Sequence, residues 1–248
     1  MPAVAPLAPW VRKMDSWAFL NNEEREALLA LPYTLKTIEA HHYIVREGDK
    51  PTQSCVMISG LSYRHKVTAN GARQILSIHM SGDIVDLQNS LLGIADHNVQ
   101  ILTASQVAFI PREAIVELAF ERPAIGKALW YDTLVDGSIF REWIANVGRR
   151  DARTRLAHLL CEYALRLEAA GLGSHREWEL PMTQEQLADC TGLTPVHVNR
   201  MLKSLANEGL IRRTRRSVTI NDWKSLAAAA DFDSSYLHLP EEKLALAR

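Results

Sequence analysis

Thr183 to Lys203 reads TQEQLADCTGLTPVHVNRMLK, and its spacing fits two short helices crossed around a tight turn. Thr183 stands where it can cap the first helix, and Gln186, three residues on, can reach back to the cap, the reciprocal pattern of a capping box. Leu187 and Ala188 are the apolar face of that helix. Gly192 falls where the chain must turn with positive φ, and Thr194 followed by Pro195 is a second N-cap with proline at the first helical position. Val198, Leu202 and Leu205 then give the second helix a buried stripe. Its outer face carries Pro195, Val196, His197, Asn199, Arg200 and Lys203. Such a face fits a DNA major groove, with Pro195, Val196, His197, Asn199 and Arg200 expected at base edges.

The residues that follow strengthen the nucleic-acid reading over that of an ordinary helical hairpin. Gly209 can end the helix in a left-handed cap, and LIRRTRRSVTI, Leu210 to Ile220, reads as two short strands around a basic turn, a wing. From Asn199 to Lys224 the basic side chains exceed Glu208 and Asp222 by five. Beside a groove-sized helix, that excess points to phosphate contact by Thr194, Lys203, Arg212, Arg213, Arg215 and Arg216.

The basic bias is local, because the whole chain of 248 residues carries a formal charge of only -1. A hydrophobic content of 47% suits a folded protein with two cores and excludes a disordered tail. No apolar run approaches the length of a membrane span, and MPAVAPLAPWVRKMDSW lacks the pattern of a signal peptide, so a cytoplasmic location and no membrane partner are expected. Cys55, Cys161 and Cys190 are scattered, which argues against a disulfide framework or a structural metal. No phosphate-binding glycine loop, His-Glu-x-x-His or nucleophile elbow is present, so an enzyme is not expected.

Upstream, DSWAFLNNEEREALLAL reads as one amphipathic helix over residues 15–31, closed by Pro32. Short apolar or alternating runs then begin at Tyr43, Cys55, Leu61, Gln74, Val99 and Val107, separated by Gly48-Asp49, Gly60, Asn70-Gly71 and Gly82-Asp83. This pattern predicts an antiparallel β domain rolled into a barrel, with Asn70-Gly71 its clearest hairpin. After a short helix at Arg112 to Phe120, a long helix is expected from Pro123 to about Val147, broken by Gly148. Ile125, Leu129, Ile139 and Trp143 recur on one of its faces, while Trp130, Leu134 and Ile144 lie on another. Two apolar faces need two partners, the β domain and a second copy of the chain. Ile125, Leu129, Ile139 and Trp143 are assigned to the dimer contact, with Asp132 and Asp136 setting its register. Asp151 caps a further helix, Ala152 to Ala170, whose Leu156, Leu159, Leu160, Tyr163 and Leu167 form the core stripe of the last domain.

With β-roll, long helix and winged helix-turn-helix in that order, residues 15–225 resemble the Crp/Fnr family of bacterial transcription regulators. The resemblance rests on Ile44 with Gly48, Ile58-Ser59-Gly60, Gly71, Gly82-Asp83 and the helix-turn-helix with its wing. The expected fold is therefore α+β: a β-roll sensor-like domain with its N-terminal helix (1–122), a dimerisation helix (123–148), a winged helix-turn-helix (149–225) and a C-terminal tail (226–248). The resemblance implies a homodimer on a two-fold related operator of double-stranded DNA, contact with RNA polymerase, and phosphate contacts at Thr183 and Gln184.

It also exposes departures. Cyclic-AMP-binding members pair the nucleotide with a Glu and an Arg, and here those positions fall on Leu87 and near His97 or Asn98. Without them a buried phosphodiester is poorly paired, so cyclic AMP is not expected as effector. The N-terminal cysteine cluster of the family's oxygen sensors is missing. For haem, His41, His42, His65, His79 and His97 are available, but a lone strand histidine more often has a structural partner, and no cofactor is expected. A regulator using other pocket residues for a cyclic nucleotide or haem remains an alternative, as does a signalling module that binds no DNA. In the recognition helix, the family's commonest Arg, Glu, Arg set is replaced by Pro195, Val196 and Arg200, so the operator is expected to differ.

Overall fold

The computed structural model describes residues 5–214 and 217–240. These fall into two compact units, one running to Asn70 and again from Leu76 to Asp136, the other comprising Gly71–Ile75 and the chain from Gly137 on.

The first unit opens with two helices where the sequence reading had one. Helix α1 (Ala8–Ala18) ends at Phe19, which donates the last helical N–H to Asp15 O and then turns the chain at a left-handed φ of 50°, and α2 (Asn22–Leu29) starts afresh from a capping box between Asn21 and Glu24. The expected single helix fails because Asn21 competes for the backbone more strongly than amphipathic periodicity can continue it.

Seven strands follow: β1 (Thr34–Ile38), β2 (Tyr43–Val45), β3 (Gln53–Ser59), β4 (Ser62–Val67), β5 (Arg73–His79), β6 (Asn98–Ile101) and β7 (Ser105–Pro111). They form two sheets, β1-β7-β3 and β2-β6-β4-β5. Strand β1 escaped the sequence reading because it is an edge strand with almost no buried side chain, so hydrophobic alternation gave no signal. In β3 and β7 the two-residue period sorts side chains to opposite faces. Cys55, Met57 and Val107 join Val45, Val85, Val99 and Ile101 inside the roll. Val56, Ala108 and Ile110 face Trp10, Met14 and Leu28 of the N-terminal helices. A one-residue slip would exchange the two cores.

Between β5 and β6 lies a short helix, α3 (Asn89–Leu92). Helix α4 (Arg112–Glu121) leads into α5 (Pro123–Arg149), which passes through Gly148 to end one residue beyond it. Ile125 and Leu129 complete the core under α1 and α2. Lys13 ties α1 to this helix, its Nζ lying 2.6 Å from Asp83 and 2.9 Å from Asp132. Burial opposes the Lys13 charge, but Asp132 and Asp83 outweigh it and hold its pKa above the usual value. Burial likewise pushes Asp132 up to about 6, against the pull of Lys13. Between the usual carboxylate value and about 6 the folded protein therefore binds the extra proton, and stability falls as pH rises through that window. Replacing Lys13 with methionine removes the cation that makes ionised Asp132 tolerable. Urea melts of Lys13→Met are expected to show a loss of about 3 kcal/mol at pH 7.5 and a smaller one at pH 5, where Asp132 takes up a proton. An equal loss at both values would mean that Lys13 acts only through packing.

The second unit contains α6 (Ala152–Ala169), β8 (Glu177–Glu179), α7 (Gln184–Thr191), α8 (Pro195–Asn207), β9 (Ile211–Arg213), β10 (Ser217–Ile220) and α9 (Trp223–Ala229). Asp151 caps α6 by accepting from the N–H groups of Arg153 and Thr154. The strands form a sheet in the order β8-β10-β9. Over residues 226–240 the chain is packed rather than trailing: α9 is followed by a 3-10 turn, Ser234–Leu237, with Leu237 only 2% exposed, and the rest of the expected tail lies outside the described residues.

Candidate nucleic-acid interface and sensor domain

The helix-turn-helix is built by local hydrogen bonds that the residue types dictate. Gln186 N donates to Thr183 Oγ1 at 3.1 Å and Thr183 N to Gln186 Oε1 at 2.9 Å, closing the capping box of α7. Gly192 ends α7 at φ +63°, and a Cβ there would stand 3.2 Å from Val147 Cγ1, so a larger residue meets both backbone strain and a neighbour. His197 N donates to Thr194 Oγ1 at 3.3 Å, capping α8. Val198, Leu202 and Leu205 are fully buried against the unit's core, together with Leu187 and Ala188.

That seat fixes what α8 presents. Thr194, Pro195, Val196, Arg200 and Lys203 are exposed, Val196 by 81%, while His197 and Asn199 are half-buried. Val196, Arg200 and Lys203 follow one another at helical spacing, which puts an apolar tip and two cations on one outward stripe. Thr183 is exposed and Gln184 half-buried at the start of α7. On the wing, Arg212 pairs with Thr219 and Arg213 with Val218 in the β9–β10 ladder, leaving Arg212 exposed and Arg213 half-buried. Arg215 and Arg216 lie outside the described residues. Arg153 adds no free cation here, because it forms a salt bridge with Glu208 at the end of α8.

The structure overturns the expected dimer face. Ile125 is 1% exposed, Leu129 and Ile139 6%, and Trp143 7%, all buried within the chain itself. Asp132 is bound to Lys13, and Asp136 lies 3.2 Å from Arg64. Both acids that were expected to set register between copies are thus ion-paired inside one chain. The apolar residues α5 leaves open are Trp130, Leu134 and Ile144, 69%, 56% and 73% exposed. Periodicity revealed two apolar faces but could not say which one the chain would cover itself, with the N-terminal helices at Ile125 and Leu129 and with α6 at Trp143.

In the β-roll domain, Leu87 packs against the core under the N-terminal helices rather than with the cluster inside the roll. His97 is buried, 2.6 Å from Asp96 and 3.3 Å from Gln88. Burial, followed by the nearby Arg64 cation, lowers its pKa. Sequence reasoning missed Arg64. It lies on β4 with its side chain buried, donating to Val85 O and pairing with Asp136. Also missed was Asp86, fully buried, which accepts from Cys55 N at 2.7 Å and is pushed up to about 7 by burial. Arg64 sits in a strand whose first four residues are all buried and Asp86 lies in the loop between β5 and α3, so hydrophobic alternation marks neither. Among the described residues no group of three His, Cys, Asp or Glu is placed to hold a metal ion. The three cysteines are free and buried, and no helix among the described residues is long and apolar enough to cross a membrane.

Residues 154–229 match the Crp-like helix-turn-helix domain and residues 35–122 the cyclic nucleotide-binding domain. The chain is 27% identical over 228 residues to the transcriptional activator protein FnrL of Cereibacter sphaeroides, covering 90% of this chain and 91% of that one. It is 26% identical over 213 residues to the fumarate and nitrate reduction regulatory protein of Escherichia coli K12, covering 85% and 84%. Among solved structures it resembles FixK2 of Bradyrhizobium japonicum with a TM-score of 0.73 at 21% identity, over 80% of this chain and 98% of that one. Two family domains in the same order, relatives matched nearly end to end and the shared fold agree, and the chain belongs to the Crp/Fnr family of DNA-binding transcription regulators.

Proposed function

We propose that the protein acts as a homodimer on a two-fold related operator, α8 of each protomer entering a major groove, and that its sensor domain takes no cyclic AMP. The observation that carries the DNA reading is the seat of α8: three apolar residues hold it, and Val196, Arg200 and Lys203 stand outward. Pro195, Val196, His197, Asn199 and Arg200 are assigned to base edges. Thr183, Gln184, Thr194, Lys203, Arg212 and Arg213 are assigned to phosphates, as are Arg215 and Arg216 from sequence alone.

The dimer reading is supported by α5. Lys127, Trp130, Leu134, Gly137, Arg141, Ile144 and Gly148 are spaced alternately three and four residues apart, and all are exposed except half-buried Gly137. That 3.5-residue repeat is the seam of a two-stranded coiled coil, and the two glycines allow close approach. As a family member the chain would also contact RNA polymerase from the promoter.

A mobility-shift assay with mixed promoter fragments at two salt concentrations tests DNA binding. Retarded bands that weaken steeply with salt are expected, and none at low salt would refute it. The nucleotide prediction rests on Leu87 packed away from the roll interior and on His97 held by Asp96 and Gln88. Calorimetry is expected to show no saturable binding of cyclic AMP or cyclic GMP. Micromolar binding of either, with a gain in operator affinity, would overturn this reading and mean that another residue, such as His97, Arg73 or the buried Arg64, supplies the phosphate contact.

A further inference from the structure

Helix α6 carries a carboxylate where its core stripe calls for an apolar residue. Glu162 is 2% exposed, and donors from three segments converge on it. Trp143 Nε1 of α5 donates to both its oxygens, at 3.1 and 2.9 Å. Arg166, one turn along α6, lies 3.4 Å away. Tyr236 Oη, from the 3-10 turn at the C-terminal end, donates to Oε2 at 2.8 Å. Tyr236 also stacks on His158, with its hydroxyl 3.1 Å from His158 Nε2. His158 Nδ1 in turn faces Ala230 O at 3.3 Å, and Phe232 sets its edge against the same ring. A second tie closes the corner between α5 and α6: Arg150 lies 2.7 Å from Glu142 and donates to both Asp231 Oδ2 and Asp231 O at 3.1 Å.

A buried carboxylate costs desolvation free energy that an apolar side chain of like size avoids, so packing alone does not account for Glu162. What it adds is direction, because its oxygens accept hydrogen bonds only where Trp143 and Tyr236 are placed to give them. The segment that supplies Tyr236 and Asp231 lies past residue 229, where the match to the Crp-like helix-turn-helix domain stops.

We propose that residues 231–237 are a clasp that closes over Glu162, His158 and Arg150, locks α6 to the distal turns of α5, and so sets how the recognition helix is presented from the dimer seam. Glu162 and Tyr236 are then positioning residues for operator binding. The distal turns of α5 carry Arg141 and Ile144 of the exposed stripe, so the clasp joins the seam to the helix-turn-helix core within one compact unit.

The inference rests on the DNA-binding dimer, and its test has one arm that needs no DNA. Tyr236→Phe keeps the ring over His158 but removes the hydroxyl, and a chain ending at Ala230 removes the clasp. Relative to the wild type, hydrogen exchange is expected to speed up in both variants along 139–149 and 156–166, with the β-roll unchanged. Unchanged exchange in those helices would overturn the clasp whatever the DNA result. The second arm uses a two-fold site selected by the wild-type protein from random DNA, together with a fragment holding one of its halves. Tyr236→Phe is expected to bind the two-fold site about tenfold more weakly and the single half equally well, the loss expected for a hydrogen bond to a charged group. Equal losses on both fragments, or none on either, would reduce the segment to a local support of the fold. If the wild type selects no DNA, the proposed function fails and the exchange result still decides the clasp.

Discussion

Leu134→Glu is expected to convert the protein into a folded monomer that has lost its operator affinity. Leu134 is 56% exposed in one chain and lies centrally in the stripe from Lys127 to Gly148. In a parallel pair of helices it meets its own copy, so the substitution removes two buried leucines and sets two like charges face to face in a desolvated seam. A cost of about 4 kcal/mol or more weakens the dimer about a thousandfold, and each half-site alone then supplies only half the contacts. Sedimentation velocity at micromolar concentration reads the assembly, and a thermal melt reads the fold. Ile139→Glu is the paired control: Ile139 is 6% exposed inside the chain, so its replacement is expected to unfold the protomer instead. A dimeric Leu134→Glu protein would remove the seam from this face of α5.

The second large effect is expected at Arg200. It is an exposed guanidinium about one and a half turns into α8, on the same stripe as Val196 and Lys203. Bidentate pairing with a guanine distinguishes it from Arg212 and Arg213, which lie on edge strand β9 and suit phosphate. Arg200→Ala is expected to cost about 1 to 3 kcal/mol per half-site, counted twice in a dimer, and to flatten discrimination at one base pair in each half. Arg212→Ala is expected to weaken all sequences alike and to lower the salt slope by about one. Titrations against single-base variants of the selected operator separate the two roles. A uniform loss with sequence preference intact would make Arg200 a phosphate clamp and pass base choice to His197, Asn199 or DNA shape.

Much of this molecule was legible locally. The capping box at Thr183, the turn at Gly192, the proline start of α8 and its apolar stripe are short-range matters, settled by side chains reaching their own backbone a few residues away. The hairpin at Asn70-Gly71 and the glycine-punctuated strands of the roll were equally readable, because φ above zero and two-residue alternation leave marks in sequence. Edge strand β1 left no such mark, since it buries almost nothing.

By itself, then, the sequence determined the succession of β-roll, long helix and helix-turn-helix and the side chains the recognition helix turns outward, all of which depend on residues close together along the chain. Only the tertiary structure decided which face of α5 is covered, that Lys13 and Arg64 capture Asp132 and Asp136, and that residues 231–237 fold back onto Glu162. The ion pairs and the fold-back join partners about 70 residues or more apart, such as Arg64 with Asp136, separated by 72, and Tyr236 with Glu162, separated by 74. The physical reason is that periodicity records that a side chain is apolar or charged, whereas the partner that buries or pairs it is chosen by packing among distant elements.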